Sequence, residues 1–254
     1  MLESGIAATH LNWLGVAPEL AKFARVRAYD RAGFGYSPPL PGPRTARQCA
    51  AEIPLDEPAI VVAHSFGCLI ARALAETRPE LVRALVLLDP ILTADWYPPT
   101  RESESRRRYG IRVARTLAVA ARLGLVRLGI SLMTAQRRRL SAPAQQLLGE
   151  IEKLPPETWP TVREHWSRPQ SFESMRRYLE ALPVSCEEGA DFAPLGDIPL
   201  TVISGAHWSP EQRVEHLRWA ALSTNSRYLI ARQGLHWVHL DDPELVIEEV
   251  RRHC

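Results

Sequence analysis

Hydrophobic residues fall in short continuous runs, rich in branched side chains, which alternate with longer segments of helical periodicity. The runs that predict strands are residues 26–29, 60–63, 85–88, 200–203 and 228–230. Each run is apolar at consecutive positions rather than at every second one, which is typical of strands buried on both faces of a sheet. Helices are predicted between them at residues 67–76, 210–222 and 243–252. This alternation predicts an α/β fold with a mostly parallel sheet flanked by helices.

The strand pattern disappears between residues 91 and 193, where Arg, Ala and Leu dominate. We interpret this stretch as a helical insertion, which divides the chain into a sheet domain of residues 1–92 and 193–254 and an insertion of residues 93–192. The longest helical pattern within it covers residues 111–133, with arginines inside an arc of about 140° on one side and apolar residues on the other. The arginines are Arg112, Arg115, Arg122 and Arg127, and the apolar residues are Leu117, Ala121, Leu125 and Leu128. The simplest interpretation is a solvated basic face over a packed apolar one, and contact with acidic lipid headgroups or an anionic substrate is the alternative.

Composition narrows the classes of protein that remain. The chain has 254 residues, a net charge of +2 and four cysteines. A nearly neutral charge does not indicate nucleic-acid binding. The cysteines lie far apart without a CxxC pair, which indicates reduced thiols rather than a disulfide framework or a zinc site. No apolar run reaches the ~20 residues of a membrane span, and the N-terminus lacks the pattern of a secretory signal. We therefore expect a soluble cytoplasmic protein.

The most informative segment is a sharp turn between a predicted strand and a predicted helix. It reads Ala63-His64-Ser65-Phe66-Gly67, and it fits the pattern G-x-S-x-G with Ala63 in place of the first glycine. A chain that reverses direction in so few residues forces strained backbone angles on the central serine, and only small residues fit two positions before and after it. The turn lifts the hydroxyl of Ser65 clear of the sheet edge. A chance turn of small residues with an inert serine is the alternative interpretation.

With this turn in place, the chain resembles the α/β-hydrolase superfamily. Three further stretches fit that family in order: residues 29–37 (YDRAGFGYS) resemble its D-x-R-G-x-G-x-S loop, residues 82–90 (VRALVLLDP) its sixth strand, and residues 234–244 (GLHWVHLDDPE) its terminal histidine loop. The resemblance implies that the insertion is a helical cap. It also implies an N-terminally truncated fold, because the match begins in the family's third strand.

The resemblance implies a histidine that acts as the general base for the serine. His236 aligns with the histidine of the family's terminal loop, and His239 falls three residues later. We expect His236 to be the base. His64 adjoins the serine, but its side chain is expected to point away into the fold in a structural role.

The acid of the expected triad is less obvious, because Trp208 occupies the position after the seventh strand where the family commonly has an aspartate. A known variant of the family places the acid at the end of the sixth strand, where this chain has Asp89. The order Ser65, Asp89, His236 keeps the family's order of serine, acid and histidine. Glu211 and the absence of any competent acid are the alternatives. Asp241 is expected to be a helix cap or to stabilise the histidine loop instead.

Backbone N–H groups are expected to bind the oxyanion. One belongs to Phe66, which follows the serine. The other belongs to Ile6, because residues 3–7 (ESGIA) resemble the family's H-G-x segment with Ser4 in place of histidine.

Together these features predict a serine hydrolase that acts on an ester or related acyl bond of a small molecule, without a metal or organic cofactor. We expect no nucleic-acid partner and no stable membrane insertion, while peripheral membrane contact through the basic helix stays open. The alternative is a relative without catalysis that binds a ligand or serves as a scaffold. The missing acid after the seventh strand and the expected truncation at the start favour that alternative.

Overall fold

In the described part of the chain, five parallel strands form the central sheet. The computed structural model describes residues 1–135, 152–190 and 193–254. The strands are β1 (Leu2–Glu3), β2 (Ala59–His64), β3 (Val82–Leu88), β4 (Leu200–Ser204) and β5 (Ser226–Ile230). They lie side by side in chain order, and each pairs in parallel with the next. The carboxyl ends of β2 and β3 therefore meet at one edge of the sheet, which is where ligands bind in open α/β sheets.

Both faces of the sheet are buried, which explains the continuous apolar runs. In β3, Leu85 and Leu87 pack into one core, whereas Val86 and Leu88 pack into another on the opposite face. Successive side chains of a strand point to opposite faces, so a strand covered on both sides needs apolar residues at every position.

Helices cover these faces and fill the connections. They are α1 (Ala17–Leu20), α2 (Ala46–Ala51), α3 (Gly67–Thr77), α4 (Arg101–Arg122), α5 (Leu125–Ala135), α6 (Trp159–Ser167), α7 (Pro169–Glu188), α8 (Pro210–Ala220), α9 (Val238–Asp241) and α10 (Pro243–Arg252). In the described ranges none of these helices is both long and apolar enough to cross a bilayer.

The strand predicted at residues 26–29 is wrong as a strand. Only Ala28 pairs, in an isolated parallel bridge to Leu2. The reason is the length of its neighbour: β1 has two residues, and it therefore offers too short an edge for a full ladder.

The insertion between β3 and β4 contains α4 to α7, and α7 packs directly on the sheet domain. The Ser185 hydroxyl of α7 accepts a hydrogen bond from the backbone N–H of Ala46 (3.0 Å), and Tyr178 lies against Phe34 with ring centroids 5.3 Å apart. Residues 136–151 and 191–192 of the predicted insertion lie outside the described residues. The proposed boundaries at 93 and 192 stay a prediction.

The single helix predicted over residues 111–133 is wrong. Gly124 has a φ of +73°, and the chain there leaves α4 and begins α5. Because this residue is left-handed, the side chains of α5 do not continue along the same faces as those of α4. Leu125 and Leu128, predicted to be packed, are consequently 54% and 56% exposed, whereas Ala121 is buried as predicted.

Candidate active site

Ser65 stands in the turn between β2 and α3 with a φ of +55°. A non-glycine residue in this left-handed region carries strain, and such residues cluster at functional sites. The backbone N–H of Ser65 donates to the carbonyl oxygen of Leu88 (3.0 Å), which ties the turn to the end of β3. A Cβ on Gly67 would lie 2.6 Å from the carbonyl oxygen of Ser4, so only glycine fits two residues after the serine. Ala63 is wholly buried at the position where the pattern has its first glycine.

Asp89 follows β3 directly and also has a positive φ, of +46°. Its backbone N–H donates to the carbonyl oxygen of Ile203 in β4 (2.7 Å). The side chain is wholly buried. Its Oδ2 lies 2.6 Å from Nδ1 of His236. The structure therefore brings together the candidate acid and the candidate base, across a gap of 147 residues in the sequence.

The protonation of the His236 ring follows from this contact. A carboxylate can only accept hydrogen bonds, so Nδ1 of His236 carries a proton and donates it to Asp89. The neutral ring then presents an unprotonated Nε2, which is the atom that can accept a proton from a nucleophile. The side chain of His236 is 40% exposed.

Among the described residues, no hydrogen bond joins the side chains of Ser65 and His236. In the described part of the chain the Ser65 hydroxyl makes no hydrogen bond. The ring of His64, the residue before Ser65, has its centroid 4.6 Å from that of His236. Catalytic hydrogen bonds of unliganded enzymes are often long and tighten only when substrate binds.

Several contacts hold the loop that carries His236. Nε2 of His64 donates to the carbonyl oxygen of His236 (2.8 Å). The backbone N–H of Leu235 donates to Oδ2 of Asp241 (2.8 Å), so Asp241 stabilises the loop as expected. Gly234 has a φ of +91°, and a Cβ there would lie 2.1 Å from Cβ of Asp241. The loop accordingly has little freedom to move His236 away from Asp89.

The two histidines that lie close to His236, namely His64 and His239, are unsuited to exchange protons. Burial, together with the neighbouring His236 and His239, holds the pKa of His64 well below its usual range. Burial also lowers the pKa of His239 to about 3. His239 stacks on Trp13, with ring centroids 4.4 Å apart. Both rings therefore stay neutral at ordinary pH and serve as packing beneath the site.

Glu211, the alternative acid, is exposed at the start of α8, and no contact joins it to His236 among the described residues. The hydrogen bond to Ser209 lowers the pKa of its carboxyl. Of the two candidate carboxylates, only Asp89 meets the histidine.

The loop of residues 3–7 lies against the serine. A Cβ on Gly5 would approach Cβ of Ser65 to 3.3 Å. In the described part of the chain, neither the N–H of Ile6 nor that of Phe66 donates a hydrogen bond. Both N–H groups therefore have no protein acceptor among those residues.

Arg31 and Glu3 fix this loop, a role that the sequence analysis missed. The buried Arg31 guanidinium forms an ion pair with Glu3 and donates to the carbonyl oxygens of Ser4 and Gly5. In a trans peptide the C=O and the next N–H point in opposite directions. By holding the Gly5 carbonyl, Arg31 therefore also sets the direction of the Ile6 N–H. The available signal was the place of Arg31 in residues 29–37, the stretch that resembles the loop after the family's fourth strand.

Residues around the acid form a second group that sequence reasoning did not assign. Nε2 of His216 donates to the carbonyl oxygen of Pro90 (2.7 Å), and its Nδ1 accepts from the Ser204 hydroxyl (2.6 Å). The Glu215 carboxylate accepts from the hydroxyl of Thr93 (2.5 Å). Helix α8 thus braces the chain that leaves β3. No cluster of three or more His, Cys, Asp or Glu side chains suited to a metal occurs within the described residues.

Comparison with known proteins identifies the family. The family model described as the alpha/beta hydrolase fold matches residues 1–243. The chain belongs to the α/β-hydrolase fold family. Relatives in this family are named for different reactions. A segment of 87 residues is 45% identical to the 2-hydroxymuconate semialdehyde hydrolase of Pseudomonas sp. (strain CF600), and it covers 30% of each chain.

A curated lipase and a solved structure are also similar to this chain. A segment of 75 residues is 43% identical to the lipase LipV of Mycobacterium tuberculosis and covers 28% of this chain and 29% of the lipase. The matched segments therefore span less than a third of these curated relatives. The solved structure of the epoxide hydrolase CorEH is 19% identical, with a TM-score of 0.72, 99% of this chain covered and 89% of the other. At that identity the likeness concerns the fold.

Proposed function

We propose that this α/β-hydrolase is a serine hydrolase that cleaves an ester or related acyl bond through an acyl-enzyme intermediate. The observation that supports it most is the hydrogen bond between His236 Nδ1 and the buried Asp89 carboxylate (2.6 Å). The left-handed Ser65 and the two unoccupied N–H donors of Ile6 and Phe66 add to it.

In the proposed reaction, Ser65 Oγ attacks the carbonyl carbon of the substrate while Nε2 of His236 takes the hydroxyl proton. Asp89 stabilises the imidazolium that results, and the N–H groups of Ile6 and Phe66 bind the negatively charged oxygen. His236 then returns the proton to the leaving group, whose departure leaves an acyl ester on Ser65. Water, activated by the same histidine, hydrolyses that ester and restores the serine.

The serine at the nucleophile position decides which reactions of the named relatives this chain could also catalyse. Epoxide opening through a covalent alkyl ester needs a carboxylate nucleophile, and this chain has a hydroxyl at that position. Carbon–carbon bond hydrolysis and acyl transfer use a serine in this family, so both fit the same residues. We expect the choice among acyl substrates to depend on residues of the insertion.

A covalent probe tests the proposal. We expect a fluorophosphonate to label the wild-type protein with one equivalent, because the activated Ser65 hydroxyl attacks phosphorus as it attacks a carbonyl. Ser65→Ala should remain unlabelled, while the control Ser226→Ala, which changes an exposed serine of β5, should be labelled like the wild type. Mass spectrometry of the intact protein and its peptides measures both the amount and the position of the adduct.

Two outcomes would contradict the proposal. Label on Ser65→Ala would mean that another residue is the nucleophile. A wild type that takes no label, with a normal melting curve, would favour a ligand-binding or scaffolding relative, consistent with the missing Ser65–His236 hydrogen bond.

A further inference from the structure

Trp208 contacts the acid of the proposed triad directly. Its indole Nε1 donates a hydrogen bond to Oδ1 of Asp89, with 2.6 Å between the two atoms. Trp208 lies in the loop after β4 and is half-buried. The edge of its ring meets His216, with ring centroids 5.8 Å apart, and His216 is itself anchored to Pro90. The indole is thus held between the acid and the helix that braces it.

The two oxygens of the Asp89 carboxylate accept different numbers of hydrogen bonds. Oδ1 accepts from the indole of Trp208 and from the backbone N–H of Gly205 (2.7 Å). Oδ2 accepts from His236. A wholly buried carboxylate needs such donors, because burial without them would favour its neutral form. With two donors on Oδ1, a rotation of the carboxylate would break both bonds, so Oδ2 stays directed at the histidine.

The chemical nature of the donor also matters. The indole N–H stabilises negative charge without carrying a positive charge of its own. A lysine or arginine at this place would neutralise Asp89 and reduce its attraction for the imidazolium of His236. An indole fixes the carboxylate and leaves its full charge available to the histidine.

We propose that Trp208 is a positioning residue that holds Asp89 in the orientation that His236 requires. The inference rests on the proposed function, since it assigns Asp89 the role of the acid. Trp208 does not touch the reacting atoms; it acts through Asp89.

Two substitutions separate the hydrogen bond of Trp208 from its packing. Trp208→Phe keeps an aromatic ring but loses the donor, whereas Trp208→Gln keeps an N–H donor of similar reach but loses the ring. We expect kcat for p-nitrophenyl acetate to fall about 10- to 100-fold in Trp208→Phe, with KM changed much less, because one hydrogen bond to a charged group is lost. Trp208→Gln should keep a clearly higher kcat than Trp208→Phe.

A matched control removes an indole hydrogen bond elsewhere. Trp159 of α6 donates from Nε1 to the carbonyl oxygen of Leu154 (2.8 Å). Trp159→Phe should leave kcat within about twofold of the wild type. A wild-type kcat in Trp208→Phe would overturn the proposal. So would a kcat lower in Trp208→Gln than in Trp208→Phe, since that order means that the ring matters only for packing.

An NMR measurement tests the same contact without any turnover. In the ¹H–¹⁵N spectrum, the indole signal that disappears in Trp208→Phe belongs to Trp208. We expect this signal to shift in Asp89→Asn, because its acceptor changes from a carboxylate to an amide, and to stay in place in Glu211→Gln. A Trp208 indole signal with the same chemical shift in Asp89→Asn as in the wild type would overturn the inference. Failure of the proposed function would appear separately, as a wild type without fluorophosphonate label.

Discussion

Replacing His236 with alanine is expected to lower kcat for p-nitrophenyl acetate by about 10³-fold or more. The serine hydroxyl is a weak nucleophile until a base takes its proton, and His236 is the ring whose Nε2 is left unprotonated by its bond to Asp89. Steady-state kinetics at neutral pH measure the loss. Because the ring is the partner of the wholly buried Asp89 carboxylate, its removal should also lower the melting temperature, so the kinetics are recorded well below the melting temperature of the variant.

His239→Ala provides the comparison for His236→Ala. His239 is buried against Trp13, and its pKa of about 3 keeps it neutral, so it cannot exchange protons during turnover. Its loss should lower thermal stability, through the cavity left beside Trp13, and affect kcat far less. Kinetics recorded well below both melting temperatures separate the two effects. A greater loss of kcat in His239→Ala than in His236→Ala would show that the base has been misassigned.

Asp89→Asn is expected to lower kcat by roughly 10³- to 10⁴-fold while the protein remains folded. The amide oxygen of asparagine can still accept from Gly205 and Trp208, which keeps the buried side chain satisfied. The amide nitrogen then faces His236 as a donor, so it cannot stabilise the imidazolium, and it favours the ring tautomer with the proton on Nε2. That tautomer cannot take a proton from Ser65.

The control for Asp89→Asn is Glu211→Gln, which alters the exposed alternative carboxylate and should leave kcat within about twofold. Circular dichroism and thermal melts check that both variants fold. If Asp89→Asn keeps most of the wild-type turnover, no carboxylate assists His236. The non-catalytic or unassisted alternatives would then gain support.

The sequence was sufficient to predict the serine turn and the strands beside it. A turn that admits only small residues at Ala63 and Gly67 leaves a local signature, and strands buried on both faces leave continuous apolar runs. The prediction of Asp89 as the acid rested on the resemblance to a variant of the family, and it left Glu211 and the absence of any acid open.

Other features depend on contacts between distant parts of the chain and leave little local trace. The Arg31–Glu3 pair and the Trp208–Asp89 hydrogen bond join residues 28 and 119 positions apart. The end of α4 at Gly124 was missed because a single glycine within a helical pattern is often tolerated. The strand at residues 26–29 was overpredicted because apolarity alone does not reveal whether a partner edge exists.

The positive φ angles of Ser65 and Asp89 destabilise the fold at the same two positions that carry the proposed chemistry. A non-glycine residue in a sparsely populated backbone region lowers the free energy of unfolding by about 1–3 kcal/mol. The fold has two such residues, at the ends of neighbouring strands. Glycine at either position would relieve the strain and remove the chemistry. If the proposed function holds, selection for heat resistance alone would favour glycine at both positions and would lose the activity.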